Sequence, residues 1–274
     1  MTILHRNQVP SARRVVVKVG SSSISGENAG QIGSLVDSLA EAHGRGVQVI
    51  LVSSGAIATG IPYLSLDGRP TDLATQQAAA AVGQNVLIYR YQDRLDHFGI
   101  VAGQVLLTAS DLENPTHRSN AQRAMERLLD LRILPIVNEN DTVATHEIRF
   151  GDNDRLAALV AILLRADLLV LLSDVDALYT KPPEQPGAER IEFIAFNEPL
   201  DGVEIGTTGR SGVGTGGALT KVSAARQAAE EGTAVIVTAA SLASNALRGE
   251  QVGTWFEPAE RSAAPAAPRR VSAS

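Results

Sequence analysis

Val15-Val16-Val17-Lys18-Val19-Gly20-Ser21-Ser22 is a β-branched run that stops at a glycine and two hydroxyls. Branching at Cβ favours extended backbone, and a run apolar at odd and even positions alike fits a strand buried on both faces. Similar runs recur at residues 47–52, 100–107, 133–137, 168–172 and 234–238. Between most of them the apolar residues take helical spacing. Leu35, Leu39 and Ala42 share one face, as do Ala124, Leu128 and Leu131, and Leu156, Leu159/Val160 and Leu163. Apolar strands alternating with helices predict an α/β fold with a mostly parallel central sheet covered on both faces.

In such sheets ligands gather beyond the carboxyl ends of the strands. The polar residues sit at those ends. Gly20-Ser21-Ser22 follows the first run, Ser53-Ser54-Gly55 the second, Asn138 to Asp141 the fourth and Ser173-Asp174 the fifth. From residue 182 to 217 the pattern breaks, punctuated by Pro182, Pro183, Pro186 and Pro199, with a short hairpin expected around residues 191–196. The Ala/Pro-rich stretch 259–274 reads as a disordered tail.

Composition narrows the function classes. The chain has 274 residues, 44% hydrophobic and 20% charged, which suits a soluble globular protein with one large domain or two small ones. A net charge of −6 argues against a general nucleic-acid surface, and the absence of cysteine removes thiolate metal sites and thiol nucleophiles. The longest apolar runs are interrupted by Arg165 and Asp167, well short of the roughly 20 residues a membrane helix needs. A cytoplasmic enzyme without membrane or nucleic-acid partners is the expectation.

Three features carry chemistry. Lys18 lies inside an apolar strand, where an ammonium is costly unless it faces a site; an edge-strand lysine is the plain alternative. Gly214-Thr215-Gly216-Gly217 runs into a helix with Lys221 in its first turn, and bare amides at a helix start attract phosphate. Here the plain alternative is a flexible loop with a solvated lysine. Gly212 to Gly217 fits G-x-G-x-x-G in letters, but no strand precedes it and no acid closes the next strand, so a dinucleotide fold is not expected. The third feature is the cluster Asn138-Glu139-Asn140-Asp141, Glu147 and Asp152-Asn153-Asp154, whose acids and amides both accept and donate. Its spacing matches no EF-hand, and Asp152/Asn153 could equally cap a helix starting near Asp154. Ser54 lacks the setting of a nucleophile elbow and reads as a hydrogen-bond donor to a ligand. His43 and His97, beside glycines, read as helix ends rather than catalytic bases.

Taken in order, Val17 to Ser22, Val52 to Ala58, Gln104-Val105-Leu106-Leu107-Thr108, Asn138-Glu139-Asn140-Asp141-Thr142, Gly151-Asp152-Asn153-Asp154 and Gly214 to Lys221 closely resemble the amino acid kinase family, over residues 13–256. The Asn-Glu-Asn-Asp and Gly-Asp-Asn-Asp pair points to its glutamate-phosphorylating branch. The resemblance implies a three-layer αβα sandwich forming one kinase domain over residues 1–258. It implies ATP, carried with Mg²⁺, as phosphoryl donor to the side-chain carboxylate of L-glutamate, the first step of proline biosynthesis. Lys18 and Lys221 would flank the γ-phosphate with Asp154 holding them. Ser54, Asp141 and Asn153 would bind glutamate. Ser173, Asp174, Thr215, Gly216, Gly217, Ala218, Leu219 and Thr220, with both lysines, would meet the nucleotide.

The resemblance further implies a homo-oligomer, feedback by proline and a glutamyl phosphate reductase downstream. Many relatives carry a C-terminal PUA domain, which is not expected here. Ala218 and Ala177 stand where relatives commonly have Met and Gly. Competing readings are an acetylglutamate, aspartate or uridylate kinase, and a regulatory binding protein on the same fold.

Overall fold

The structure, a computed structural model, describes residues 2–24, 30–66, 70–143, 153–200 and 217–260. In chain order its main elements are β1 (Arg14–Lys18), α1 (Gln31–Gly44), β2 (Gln48–Val52), α2 (Ala56–Gly60), α3 (Leu73–Asp96), β3 (Ala102–Leu107), α4 (Ala109–Glu113), α5 (Pro115–Asp130), β4 (Leu134–Glu139) and α6 (Asn153–Leu163). There follow β5 (Leu168–Ser173), β6 (Leu178–Tyr179), β7 (Arg190–Ile191), β8 (Phe193–Ile194), α7 (Ala218–Glu230), β9 (Ala234–Ala239), α8 (Ala243–Leu247) and β10 (Thr254–Phe256).

All six apolar runs form strands of one eight-stranded sheet, ordered β3-β4-β2-β1-β5-β9-β10-β8. Its first six strands are parallel; β10 returns antiparallel to β9. Because side chains alternate along a strand, each strand feeds two cores. Val15, Val17, Val49, Leu51, Leu168 and Val170 face a core closed by α1, α3 and α8. Val16, Ile50, Val52, Leu169 and Leu171 face the opposite core, under α5, α6 and α7. This is the expected three-layer αβα sandwich. Lys18 continues the Val16 side of β1, so period-two alternation alone turns its ammonium toward α6 and α7.

The order reverses at β1, with β2 on one side and β5 on the other; Lys18 pairs with Val52 and with Leu171. Such switch points leave a crevice beyond the strand ends. Asp167 marks the other end, accepting from the backbone N–H of Arg13 at 2.8 Å and Arg14 at 3.0 Å. No helix among the described residues is long and apolar enough to cross a membrane.

Two local expectations need correction. In α5 the buried residues are Met125 and Leu129, while Ala124 and Leu131 are exposed. The stripe is one position away from the one expected, because alanine carries too little apolar area to fix a helix's rotation. The hairpin around residues 191–196 is absent. Ile191 pairs with Leu178 in a small antiparallel sheet, whereas Phe193 and Ile194 pair in parallel with Trp255 and Phe256 at the edge of the main sheet. Glu192 divides two short strands that serve different sheets. At the C-terminus, Pro258 is buried and Ala259 donates to the Ala229 carbonyl at 2.8 Å, so the folded domain runs at least that far. The rest of the expected tail, residues 261–274, lies outside the described residues.

One helix contact controls the rim of the crevice. A Cβ on Gly83 of α3 would lie 1.8 Å from the Ala56 carbonyl oxygen, and one on Gly60 of α2 would lie 1.9 Å from that of Ala79. Backbone meets backbone here, so no side chain can yield. Gly83→Ala is therefore expected to destabilise the fold by about 2 kcal/mol or more, as overpacking does. Urea denaturation measures it, and an unshifted midpoint would contradict the contact.

Candidate active site

At the carboxyl edge of the sheet two lysines from distant parts of the chain converge on one acid. Lys18 ends β1, Lys221 lies in the first turn of α7, and Asp154 is the second residue of α6. Lys18 Nζ is 2.5 Å from Asp154 Oδ1 and Lys221 Nζ is 3.2 Å from Oδ2. Exposures are 4% for Lys18, 7% for Lys221 and 0% for Asp154. Burying three charges is expensive unless they pair, and here two cations share one anion. The Thr220 hydroxyl lies 3.0 Å from Asp154 Oδ2 and 2.9 Å from the Gly217 carbonyl, within reach of both acceptors. Burial alone would push the Asp154 carboxyl up. The two ammonium groups and Thr220 outweigh it and hold the carboxyl at about 2, below its ordinary 3.8. Asp154 is thus an anion at any physiological pH.

The neighbouring residue faces a second cluster. Asn153 Nδ2 donates to Ser54 Oγ at 2.8 Å and approaches Asn138 Oδ1 at 3.5 Å. Ser54 follows β2, and Gly55 makes the turn into α2 at φ +86°, a conformation that favours glycine. With its oxygen accepting from Asn153, the Ser54 hydroxyl keeps its own hydrogen for a ligand. Asn153 Oδ1 is buried without a hydrogen-bond partner among the described residues. A buried carbonyl oxygen left in this state is an acceptor awaiting a donor. Asp141 stands half-buried two residues past β4, and burial pushes its carboxyl up to about 6.

The remaining expected residues divide. Ser173 ends β5 beside Lys18's strand and its hydroxyl donates to Asp174 Oδ1 at 3.2 Å; Asp174 is exposed. Gly217 caps α7, Ala218 packs against the core under α6 and α7, and Leu219 is exposed. Thr220, expected only as a nucleotide contact, is bonded to Asp154. Thr215, Gly216, Glu147 and Asp152 lie outside the described residues. Ser53 is not exposed to the crevice: its hydroxyl pairs with Tyr91 at 2.9 Å inside the sheet–α3 core. One partner escaped sequence reasoning. Gln84 of α3 bonds Asn138 and the Glu139 carbonyl, and nothing in its Val-Gly-Gln-Asn setting announces this. His43 and His97 do sit at helix ends.

Comparisons with known proteins place the chain in a family. The profile of the Amino acid kinase family matches residues 13–239. The glutamate 5-kinase of Leifsonia xyli subsp. xyli (strain CTCB07) is 81% identical over 98% of this chain and 99% of that protein. That of Clavibacter michiganensis subsp. michiganensis (strain NCPPB 382) is 74% identical over 92% of this chain and 97% of its own length. The glutamate 5-kinase of Thermobifida fusca (strain YX) is 56% identical over 93% of this chain, which spans 67% of that protein. Among solved structures, carbamate kinase from Giardia lamblia bound to AMP-PNP superposes with a TM-score of 0.66 at 17% identity, covering 91% of this chain and all of that one. At that identity the likeness is one of fold. The matches do not favour an acetylglutamate, aspartate or uridylate kinase, or a regulatory binding protein. With its paired lysines on a parallel sheet and relatives matching along nearly its whole length, the chain belongs to the amino acid kinase family and, within it, to the glutamate 5-kinases.

Proposed function

We propose that the crevice beyond β1, β2 and β5 transfers the γ-phosphoryl group of ATP to the side-chain carboxylate of L-glutamate, giving glutamyl 5-phosphate for proline biosynthesis. The observation that carries this reading is the Lys18–Asp154–Lys221 bridge, two buried ammonium groups held at one edge by one anion. A carboxylate oxygen attacks the γ-phosphorus, the bond to the β-phosphate oxygen breaks, and ADP leaves. No proton moves, because the acceptor carboxyl, with an ordinary pKa of about 4.3, is already ionised. The barrier is the approach of two anions, so positive charge and in-line placement are what the protein must supply.

Lys18 and Lys221 flank the phosphoryl group, and Asp154 keeps them apart and aimed. A Cβ on Gly20 would lie 3.8 Å from Lys18 Nζ, so its absence leaves room beside the ammonium for a phosphate oxygen. Ser173, Asp174, Thr215, Gly216, Gly217 and the first turn of α7 hold the nucleotide. Mg²⁺ carried with the nucleotide would offset phosphate charge, and the Asp154 oxygens, engaged by Lys18, Lys221 and Thr220, are not offered as its ligands. Glutamate's ammonium faces Asp141 and the unpartnered Asn153 Oδ1, and Ser54 donates to its α-carboxylate. The enzyme acts in the cytoplasm as a homo-oligomer, under proline feedback, and hands its labile acyl phosphate to a reductase. These last features rest on family membership alone.

Glutamate-dependent hydroxamate formation with Mg-ATP tests the reaction, and no product with active, folded protein would refute it. Lys18→Ala and Lys221→Ala are each expected to lower kcat by about 100-fold or more, the scale of losing an oxyanion donor; near-normal turnover in either removes its role. Asp141 must be ionised to pair with an ammonium, and its carboxyl protonates near pH 6. The glutamate KM should therefore rise as pH falls through about 6, and this limb should vanish in Asp141→Asn; an identical profile in both proteins would dismiss the pairing.

Asp154 gives a stability signature with a defined sign. Its folded pKa is depressed, so its contribution is present above 3.8 and is lost as pH falls toward 2. Asp154→Ala should cost about 3 kcal/mol or more at pH 7, where two ammonium groups are left without their anion. That penalty should shrink as pH is lowered from 4 toward 2, and urea unfolding across this range would expose a penalty independent of pH.

A further inference from the structure

Behind Asn153 lies a buried ring of two amides, Asn138 and Gln84, closed on the Glu139 backbone. A carboxamide can present either its oxygen or its nitrogen to a partner, so an amide in a binding site needs something to choose its face. Here the choice is made by groups that cannot reverse their roles. The Glu139 backbone N–H donates to Asn138 Oδ1 at 2.9 Å, which fixes the oxygen. Asn138 Nδ2 must then point the other way, where it donates to Gln84 Oε1 at 3.1 Å. Gln84 Nε2 in turn donates to the Glu139 carbonyl at 3.2 Å. The backbone of one residue, Glu139, thus anchors both ends of a two-amide ring, and neither amide can flip without breaking a buried bond. Gln84 is 8% exposed and Asn138 3% exposed, so water is a poor substitute.

The consequence reaches Asn153. Asn138 Oδ1, held in place, stands 3.5 Å from Asn153 Nδ2, and Ser54 Oγ accepts from the same nitrogen at 2.8 Å. Two acceptors on that side hold the Asn153 nitrogen toward them and leave its oxygen without a partner. Were Asn138 reversed, its NH₂ would face the Asn153 NH₂, and the favoured arrangement would turn Asn153 over. We propose that Gln84 is a positioning residue for amino-acid recognition: through Asn138 it fixes Asn153 with Oδ1 turned out as an acceptor for the substrate ammonium. The proposal rests on the reading of this crevice as a glutamate site and names a determinant of that site's specificity for an amine.

The experiment uses the full chain and compares Gln84→Met with Gln84→Glu. Methionine fills a similar volume and offers Asn138 no strong acceptor. Glutamate is the worse residue to bury but keeps an oxygen opposite Asn138 Nδ2. If Gln84 acts through that bond, Gln84→Met raises the glutamate KM about ten-fold, the scale of one misdirected buried hydrogen bond. The ATP KM should move far less, and Gln84→Glu should be the milder of the two. A double-mutant cycle with Asn138→Ala should be strongly non-additive, the double variant binding glutamate no worse than the poorer single one. An unchanged glutamate KM in Gln84→Met, parallel rises for both substrates, a harsher Gln84→Glu, or additive effects would each overturn the proposal. Should Gln84→Met fail to fold, Gln84→Leu takes its place and is read by the same outcomes. Failure of the parent enzyme to phosphorylate glutamate is a different outcome, and it would overturn the functional reading instead.

Discussion

Everything at this site hangs on one buried carboxylate. Asp154 pairs with Lys18 from the first strand and Lys221 from the seventh helix, residues separated by most of the chain. Neither ammonium could stay buried without it, and Asp154 itself could not stay ionised at 0% exposure without them. The contact ties β1, α6 and α7 together and sets the charge of the crevice in the same stroke. Two ammonium groups brought together beyond the strand ends are what a polyanion requires of a site.

The β-branched runs made the sheet legible because most are apolar on both faces, as strands of a covered parallel sheet are. Lys18 was legible for the complementary reason: a charge amid valines costs too much to be incidental. What could not be read was anything requiring rotation or pairing of weakly marked segments. In α5, alanine at position 124 and leucines at 128 and 131 mimic a stripe, yet Met125 and Leu129 are the residues inside. Two-residue strands at Arg190–Ile191 and Phe193–Ile194 carry no periodicity long enough to assign a partner. Gln84 sits in an ordinary helical segment, and its role exists only because α3 lies over the end of β4. The closeness of Gly60 and Gly83 is equally silent, since a glycine in sequence does not state what backbone it meets.

Adjacent residues at the start of α6 divide the work. Successive side chains on a helix diverge by about 100°, so neighbours address different neighbourhoods. Asn153 reaches the polar ends of β2 and β4, while Asp154 reaches β1 and α7. The clusters proposed for the amino acid and for the phosphate are thereby built on one rigid turn. Their separation is set by helix geometry rather than by loop conformation. For in-line transfer, where small misplacements of acceptor and donor are costly, that is the more exact way to fix the distance.

The two clusters also differ in what pH can do to them. Asp154 is pinned below the titration range of any working solution by its lysines. Asp141, half-buried and with no cation beside it among the described residues, is displaced upward to about 6. The same fold therefore moves two carboxyls in opposite directions, one by pairing and one by burial. Since the acceptor carboxylate needs no base, no group at the phosphoryl centre has to change protonation for turnover. Under the proposed roles, sensitivity to mild acid belongs to recognition of the amino acid and not to transfer. A carboxylate poised near 6 is a weak partner for an ammonium until one arrives, whereupon the new positive charge lowers its pKa and strengthens the pair. If Asp141 pairs with the substrate as proposed, binding and ionisation there are a single linked event, and the substrate itself completes the charge that holds it.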